Sequence, residues 1–286
     1  MISSLFATIA EWVRERGQAF TALRRTRRSE QFCAPPAVEA LEERYLLTST
    51  TTVPAISEIP QTIAMMDIAF ATQSKGNPTV VFVGDSISWF YAYGTGAPVW
   101  SAYMAPLNMA NYGVPGQTTQ SLLFQFSQGQ LAGIHPELVV LDIGGNNLLQ
   151  GNTPQETADG VLAAVSTIHQ DLPSAHIIVL AILPGEQSPN DPYRSLGAQT
   201  NQLVSQMLAS DSYTSYVNLG SIFVQSDGTI SSSMMFDYVH PTQQGYQDLT
   251  NALLPIIEQS LLGNFTIPTI SAPASPSPSP LALTPQ

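Results

Sequence analysis

Thr79-Val80-Val81-Phe82-Val83-Gly84-Asp85-Ser86-Ile87 decides how this chain is read, because an apolar run of strand length ends in a glycine that presents two small polar side chains. Similar runs recur at Met109–Tyr112, Leu138–Ile143, Ile177–Ile182 and Tyr216–Leu219. Between them lie longer segments of helical character, at Thr118–Gln128, Pro154–Leu172, Arg194–Ala209 and Gln243–Leu262. Strands apolar on both faces and separated by helices imply a parallel sheet covered on each side. The expected fold class is α/β, a three-layer α/β/α sandwich around a central parallel sheet of about five strands. In such sheets ligands bind beyond the carboxyl ends of the strands, near the topological switch point.

The polar motifs fall at those ends. Ser86 follows the first strand, and Asp237-Tyr238-Val239-His240 precedes the last helix, with Asp237 151 residues beyond Ser86. A serine hydroxyl is a weak nucleophile near neutral pH unless an imidazole takes its proton and a carboxylate holds that imidazole in the right tautomer. Ser86, His240 and Asp237 supply all three groups. By itself Gly84-Asp85-Ser86 reads first as an ordinary βα turn in which Asp or Ser caps the next helix. Acyl transfer also needs donors for a developing oxyanion. Asn111-Tyr112-Gly113-Val114-Pro115-Gly116-Gln117-Thr118-Thr119 offers a glycine whose backbone N–H can approach a substrate closely, and Gly144-Gly145-Asn146-Asn147 offers a side-chain amide. Each of these also reads as a turn or a cap. The set of serine, glycine, asparagine and histidine, each at a strand end or before the last helix, is what composition alone rarely produces.

Charge divides the chain of 286 residues: residues 1–50 hold seven of the nine Lys and Arg and six acids, leaving Lys75, Arg194 and fifteen acids in the remainder. So acidic a body repels nucleic acid and anionic membranes, and it suits an enzyme acting on neutral substrates. No run approaches the roughly 18 apolar residues of a membrane span. Residues 1–50 are expected to be a leader; residues 51–60, rich in Thr, Ser and Pro, a linker; residues 61–265 the globular domain; and residues 266–286, with repeated Ser-Pro, a disordered tail. The basic run Arg24-Arg25-Thr26-Arg27-Arg28 followed by Leu41-Glu42-Glu43-Arg44-Tyr45-Leu46-Leu47 resembles a leader of exported proteins in some bacteria. That likeness implies an exported or periplasmic protein. Cys33, the single cysteine, lies in this segment, so the domain has no disulfide, thiol nucleophile or cysteine metal site. His135, His169 and His176 lack a second ligand at metal spacing and read as structural or surface residues. The aromatic cluster Trp89, Phe90, Tyr91, Tyr93 and Trp100 reads either as core or as the wall of an acyl or alcohol pocket.

Taken together from Val80 to Leu262, the ordered blocks resemble the GDSL or SGNH hydrolase family, whose sheet is flavodoxin-like. Gly129–Pro136, Ile182-Leu183-Pro184-Gly185, Ser226–Ser231 and Phe236–His240 resemble its platelet-activating-factor acetylhydrolase branch. The resemblance implies that Ser86 is the nucleophile and an oxyanion donor through its backbone N–H, with Gly116 and Asn146 as the other donors. It makes His240 the general base and Asp237 the residue that orients it. Gly116 is preferred to Gly113 because it precedes Gln117-Thr118. The chain departs from the family at Asn147, where Asp is common, and at Pro241, where the branch often has Leu. This is not the α/β-hydrolase arrangement, since Asp237 lies only three residues before His240 and no Gly-x-Ser-x-Gly surrounds Ser86. The expected activity is hydrolysis of small acyl esters, acetyl among them, through an acyl-enzyme and with no cofactor or metal. A carbohydrate O-acetyl esterase and a non-catalytic binding module on the same fold are the alternatives. The substrate expected is a small-molecule or glycan ester, and the oligomeric state is left open.

Overall fold

The computed structural model describes residues 50–55 and 76–263. Most of the expected leader, with Cys33, and the whole expected tail lie outside those residues. Five strands, β1 (Val80–Gly84), β2 (Met109–Asn111), β3 (Leu138–Asp142), β4 (His176–Leu180) and β5 (Thr214–Val217), form one sheet in the order β2-β1-β3-β4-β5. Every neighbouring pair is parallel, with Val80 of β1 facing Met109 on one side and Leu138 on the other. The principal helices are α1 (Ser86–Tyr93), α2 (Thr119–Ser127), α3 (Gly145–Leu149), α4 (Pro154–Asp171), α5 (Pro192–Met207) and α6 (Gln243–Leu261).

Alternation along the strands sorts their side chains into two cores. Val80, Phe82, Leu138, Val140, Ile178 and Val217 meet α1 and α6 on one face, whereas Val81, Val83, Val139, Leu141, Ile177 and Val179 meet α2, α4 and α5 on the other. None of these is more than 2% exposed, and burial of each such side chain contributes about 1.5–3 kcal/mol. The three-layer sandwich is the expected one. From β1 the chain moves outward to β2, and from β3 it moves the opposite way to β4. The switch point therefore lies between the carboxyl ends of β1 and β3, where Ser86 and Asn146 emerge.

Several boundaries differ from the expectation for local reasons. Helix α5 begins at Pro192, two residues before Arg194, because the Asp191 carboxylate caps it and accepts from Tyr193 N at 2.9 Å. Strand β5 ends at Val217 rather than Leu219, since Asn218 turns the chain by accepting from Gly220 N at 3.0 Å. Two of these six helices are not among the segments of helical character read from the sequence. α1 is built from aromatic and β-branched residues that favour strands, and α3 opens on Gly-Asn-Asn, which reads as a turn. Thr50–Thr52, where the expected leader gives way to the expected linker, forms a 3-10 turn with Thr51 wholly buried against the domain.

Candidate active site

Strands β1 and β3 approach too closely at the site for a side chain at Gly84, where a Cβ would lie 2.1 Å from the Asp142 carbonyl oxygen. Asp85 N donates to that same oxygen at 3.2 Å, carrying the pairing one residue past the strand. The chain then turns into α1. Asp85 is its N-cap, with Oδ1 accepting from Ile87 N at 2.9 Å, and Ser86 is the first helical residue. Asp85 therefore caps the helix as the turn reading supposed, and Ser86 still stands at the helix N-terminus at the end of the sheet. Its backbone lies at the positive end of the helix dipole.

Asp237 and His240 reach Ser86 from a tight turn before α6. Tyr238 adopts φ +64°, a left-handed conformation uncommon outside glycine. With that turn, Asp237 Oδ1 accepts from Val239 N (3.1 Å) and His240 N (2.7 Å), while Oδ2 faces His240 Nδ1 at 2.7 Å. His240 Nε2 lies 2.8 Å from Ser86 Oγ. Burial pushes the Asp237 carboxyl up, but its bonds to the His240 ring, the imidazole charge and the two backbone N–H groups outweigh it and hold the group below its usual value. An ionised carboxylate here keeps the proton of the ring on Nδ1, which makes Nε2 the acceptor for the Ser86 hydroxyl. Phe90 and Phe236 flank the imidazole at centroid distances of 4.9 and 5.8 Å, fixing its plane.

The two glycines of the β2 loop have different tasks. A Cβ on Gly113 would lie 2.6 Å from Trp89 N, so its missing side chain lets the loop pack on α1, whereas Gly116 makes the turn with φ +76°. Val114 N donates to Gly84 O at 2.9 Å and anchors this loop to the end of β1. Asn146, at the second position of α3, crosses to it: Nδ2 donates to Gln117 O at 3.0 Å and to Asp85 Oδ2 at 3.3 Å. In this state both amide hydrogens of Asn146 are engaged, so an oxyanion must take the place of one acceptor. Asn147 points away from the site into a buried network, accepting from Thr119 N at 3.0 Å and donating to Thr119 Oγ1 and Gln120 Oε1. Asn at this position thus still supplies a supporting hydrogen bond.

Sequence reading overlooked two neighbours of the site, Asp142 and Tyr193, and gave Asp85 no part beyond that of a cap. Asp142, which ends β3, and Asp85 are 7% and 5% exposed. Burial raises Asp85 to about 6, against the lowering effects of the Ile87 N–H and the charge of His240. Asp142 is driven well above its ordinary value, first by burial and then by the charge of Asp85. Two carboxyls so placed hold a proton where separate ones would not. The Tyr193 hydroxyl lies beside Gly145, where a Cβ would meet it at 3.0 Å and Asp85 Oδ2 at 3.8 Å, and burial followed by the charges of Asp85 and Asp142 raises its pKa. An acid closing an otherwise apolar strand is a signal that could have found Asp142; nothing local marks Tyr193.

The aromatic cluster is chiefly core: Trp89, Tyr91 and Trp100 are buried, and Tyr91 packs edge-on to Phe82 and stacks on Tyr246. Phe90 of that group touches the site, through His240. His176 is buried against Ser215 Oγ at 2.8 Å, His169 stacks on Tyr213, and His135 is exposed.

Comparison with known proteins bears on the family and the fold. The family model described as GDSL-like Lipase/Acylhydrolase family matches residues 82–247. Platelet-activating factor acetylhydrolase IB subunit alpha1 of Homo sapiens is 36% identical over 185 residues, covering 64% of this chain and 78% of the relative. Subunit alpha2 of Rattus norvegicus is 37% identical over the same shares. Among solved structures, a GDSL-like lipase from Bacteroides thetaiotaomicron has a TM-score of 0.55 at 18% identity, covering 70% of this chain and 98% of the other. A catalytic mutant of an acetylxylan esterase from Geobacillus stearothermophilus has a TM-score of 0.51 at 20% identity, covering 65% and 96%. These structural likenesses show the shared fold.

Proposed function

The chain belongs to the GDSL-like lipase/acylhydrolase family and is a hydrolase acting on ester bonds, and from that premise we propose that it cleaves small acyl esters through a Ser86–His240–Asp237 triad and an acyl-enzyme. One observation carries the reading: an unbroken line of contacts from Ser86 Oγ to His240 Nε2 (2.8 Å) and from His240 Nδ1 to Asp237 Oδ2 (2.7 Å). Ser86 Oγ attacks the acyl carbon as its proton passes to Nε2. The oxygen of the tetrahedral intermediate is met by the backbone N–H groups of Ser86 and Gly116 and by Asn146 Nδ2, and the positive end of α1 adds to their effect. Collapse breaks the bond to the alcohol oxygen, which leaves with the proton from Nε2. Water, deprotonated by the same nitrogen, then attacks the acyl-serine and frees the acid.

The acetyl group is supported as substrate by the name of the relatives at 36–37% identity. The acidity of the domain favours an uncharged ester over an anionic one. Export through the residue 1–50 leader belongs to the same reading, and cell fractionation of the full chain tests it. The activity is tested with a fluorophosphonate that labels activated serines and with p-nitrophenyl esters from acetyl to palmitoyl. Wild-type protein is expected to be labelled and to prefer acetyl, while Ser86→Ala does neither. Equal labelling of the two proteins would remove Ser86 from the mechanism.

A further inference from the structure

The 3-10 turn at Thr50–Thr52 lies far before the sheet in sequence, yet it is bonded to the back of the candidate oxyanion site. Thr51 is 0% exposed, and its carbonyl oxygen accepts from Thr119 Oγ1 at 3.0 Å. Ala55 N donates to Gln120 O at 3.1 Å, so the strap is held to the first turn of α2 at two points. Its approach is so close that a Cβ on Gly160 of α4 would fall 2.9 Å from Thr51 O and 2.4 Å from Thr119 Oγ1. The hydroxyl that the strap engages also accepts from Asn147 Nδ2 at 3.1 Å, and Thr119 N donates to Asn147 Oδ1 at 3.0 Å. Thr119 and Asn147 are both 0% exposed. In such surroundings a polar relay is stiff, and the Thr119 hydroxyl, 3.0 Å from Thr51 O and 3.1 Å from Gln120 Oε1, turns wholly to Gln120 if the strap leaves.

Both side chains of this relay adjoin a candidate donor. Asn147 follows Asn146 in α3, and Thr119, the first residue of α2, lies three residues past Gly116 of the loop whose Gln117 O accepts from Asn146 Nδ2. The strap therefore bears on the spacing between the β2 loop and α3, the spacing in which an acyl oxygen would be received.

Resting on the reading of Gly116 and Asn146 as oxyanion donors, we propose that Thr50–Ala55 is a positioning element of the active site, acting through the relay Thr51 O, Thr119 Oγ1 and Asn147. It touches no substrate. It holds the β2 loop and α3 at the separation the transition state needs, so its loss lowers turnover more than binding. The acting group is the main-chain carbonyl. The Thr51 hydroxyl is buried with no hydrogen-bond partner among the described residues, so a side chain of the same shape without it leaves the relay intact.

The test uses the full chain with p-nitrophenyl acetate at 25 °C, with the melting temperature of each variant recorded, and compares Thr51→Arg, Thr51→Val, Thr119→Val and Ser86→Ala. Thr51→Arg cannot be buried and displaces the strap; kcat is expected to fall about tenfold or more with KM changed less than about threefold. The rate of fluorophosphonate labelling should fall in parallel. Thr51→Val should keep wild-type kcat, and Thr119→Val, which keeps the strap's shape but removes the relay hydroxyl, should lose about three- to tenfold in kcat. If Thr51→Arg does not fold, Thr119→Val decides. Lower melting temperatures with wild-type kcat in the folded variants would overturn the proposal and leave the strap a purely structural clasp. Activity surviving in Ser86→Ala would instead overturn the triad itself, whatever the strap variants do.

Discussion

Replacing Asp237 by Asn tests the triad more sharply than deleting it, because the surroundings dictate how the amide must sit. Oδ1 of Asp237 accepts two backbone N–H groups, from Val239 at 3.1 Å and His240 at 2.7 Å. Those donors can be satisfied only by the carbonyl oxygen of an asparagine, so its NH2 is forced into the place of Oδ2, 2.7 Å from His240 Nδ1. Facing a donor, Nδ1 becomes the acceptor and the ring proton moves to Nε2, where it points at Ser86 Oγ. The imidazole then cannot take the serine proton. We expect kcat to fall about 10⁴-fold, equivalent to about 5.5 kcal/mol at roughly 1.4 kcal/mol per tenfold, with little change in KM. Steady-state hydrolysis of p-nitrophenyl acetate at pH 8 measures it. Asp237→Ala imposes no tautomer and is expected to be no worse than Asp237→Asn. An Asn variant within tenfold of wild type would refute this account of Asp237.

Asn146→Ala should lower kcat by about 10²–10³ if the amide meets the oxyanion, and a loss under threefold in the same assay would exclude it as a donor. Asp85 has a folded pKa of about 6 against an ordinary 3.8, so the folded protein keeps a proton that the unfolded chain has released. Stability contributed at low pH is therefore lost as pH rises from about 4 to about 6, with a ceiling of about 3 kcal/mol. In Asp85→Asn, which retains an oxygen to cap Ile87 N–H, the fall in melting temperature across that window should shrink, and melting curves of variant and wild type that stay parallel from pH 4 to 7 would count against it. Gly84→Ala places a Cβ 2.1 Å from the Asp142 carbonyl oxygen and should cost about 3 kcal/mol or more through separation of β1 from β3; urea unfolding with an unchanged midpoint would contradict the close approach.

The sheet was legible because strands buried on both faces must be apolar throughout, and Val80–Val83 and Leu138–Leu141 are. The longer helices were legible too, as segments of helical character, and the structure adds that Thr118 and Thr153 each close a capping box. α1 was not, because Ile87, Trp89, Phe90 and Tyr91 carry no helical preference. What makes them helical is the cap from Asp85 before them and the surface formed by β1, Trp100 and Tyr246 against which they pack. The same contacts decided the standing of the aromatic cluster, which the sequence left between core and pocket wall.

Residue chemistry and order along the chain determined the α/β layering, and with the likeness of its blocks to a known family they singled out Ser86, Gly116, Asn146, Asp237 and His240 as candidates, since burial periodicity and functional-group type are properties of residues taken locally. The tertiary structure alone decided which atoms meet. Contacts such as Ser86 Oγ to His240 Nε2, Asn146 Nδ2 to Asp85 Oδ2 and Thr119 Oγ1 to Thr51 O join residues 154, 61 and 68 positions apart. Their geometry is set by the pairing of β1 with β3 and the packing of helices on the sheet, neither of which any local stretch encodes.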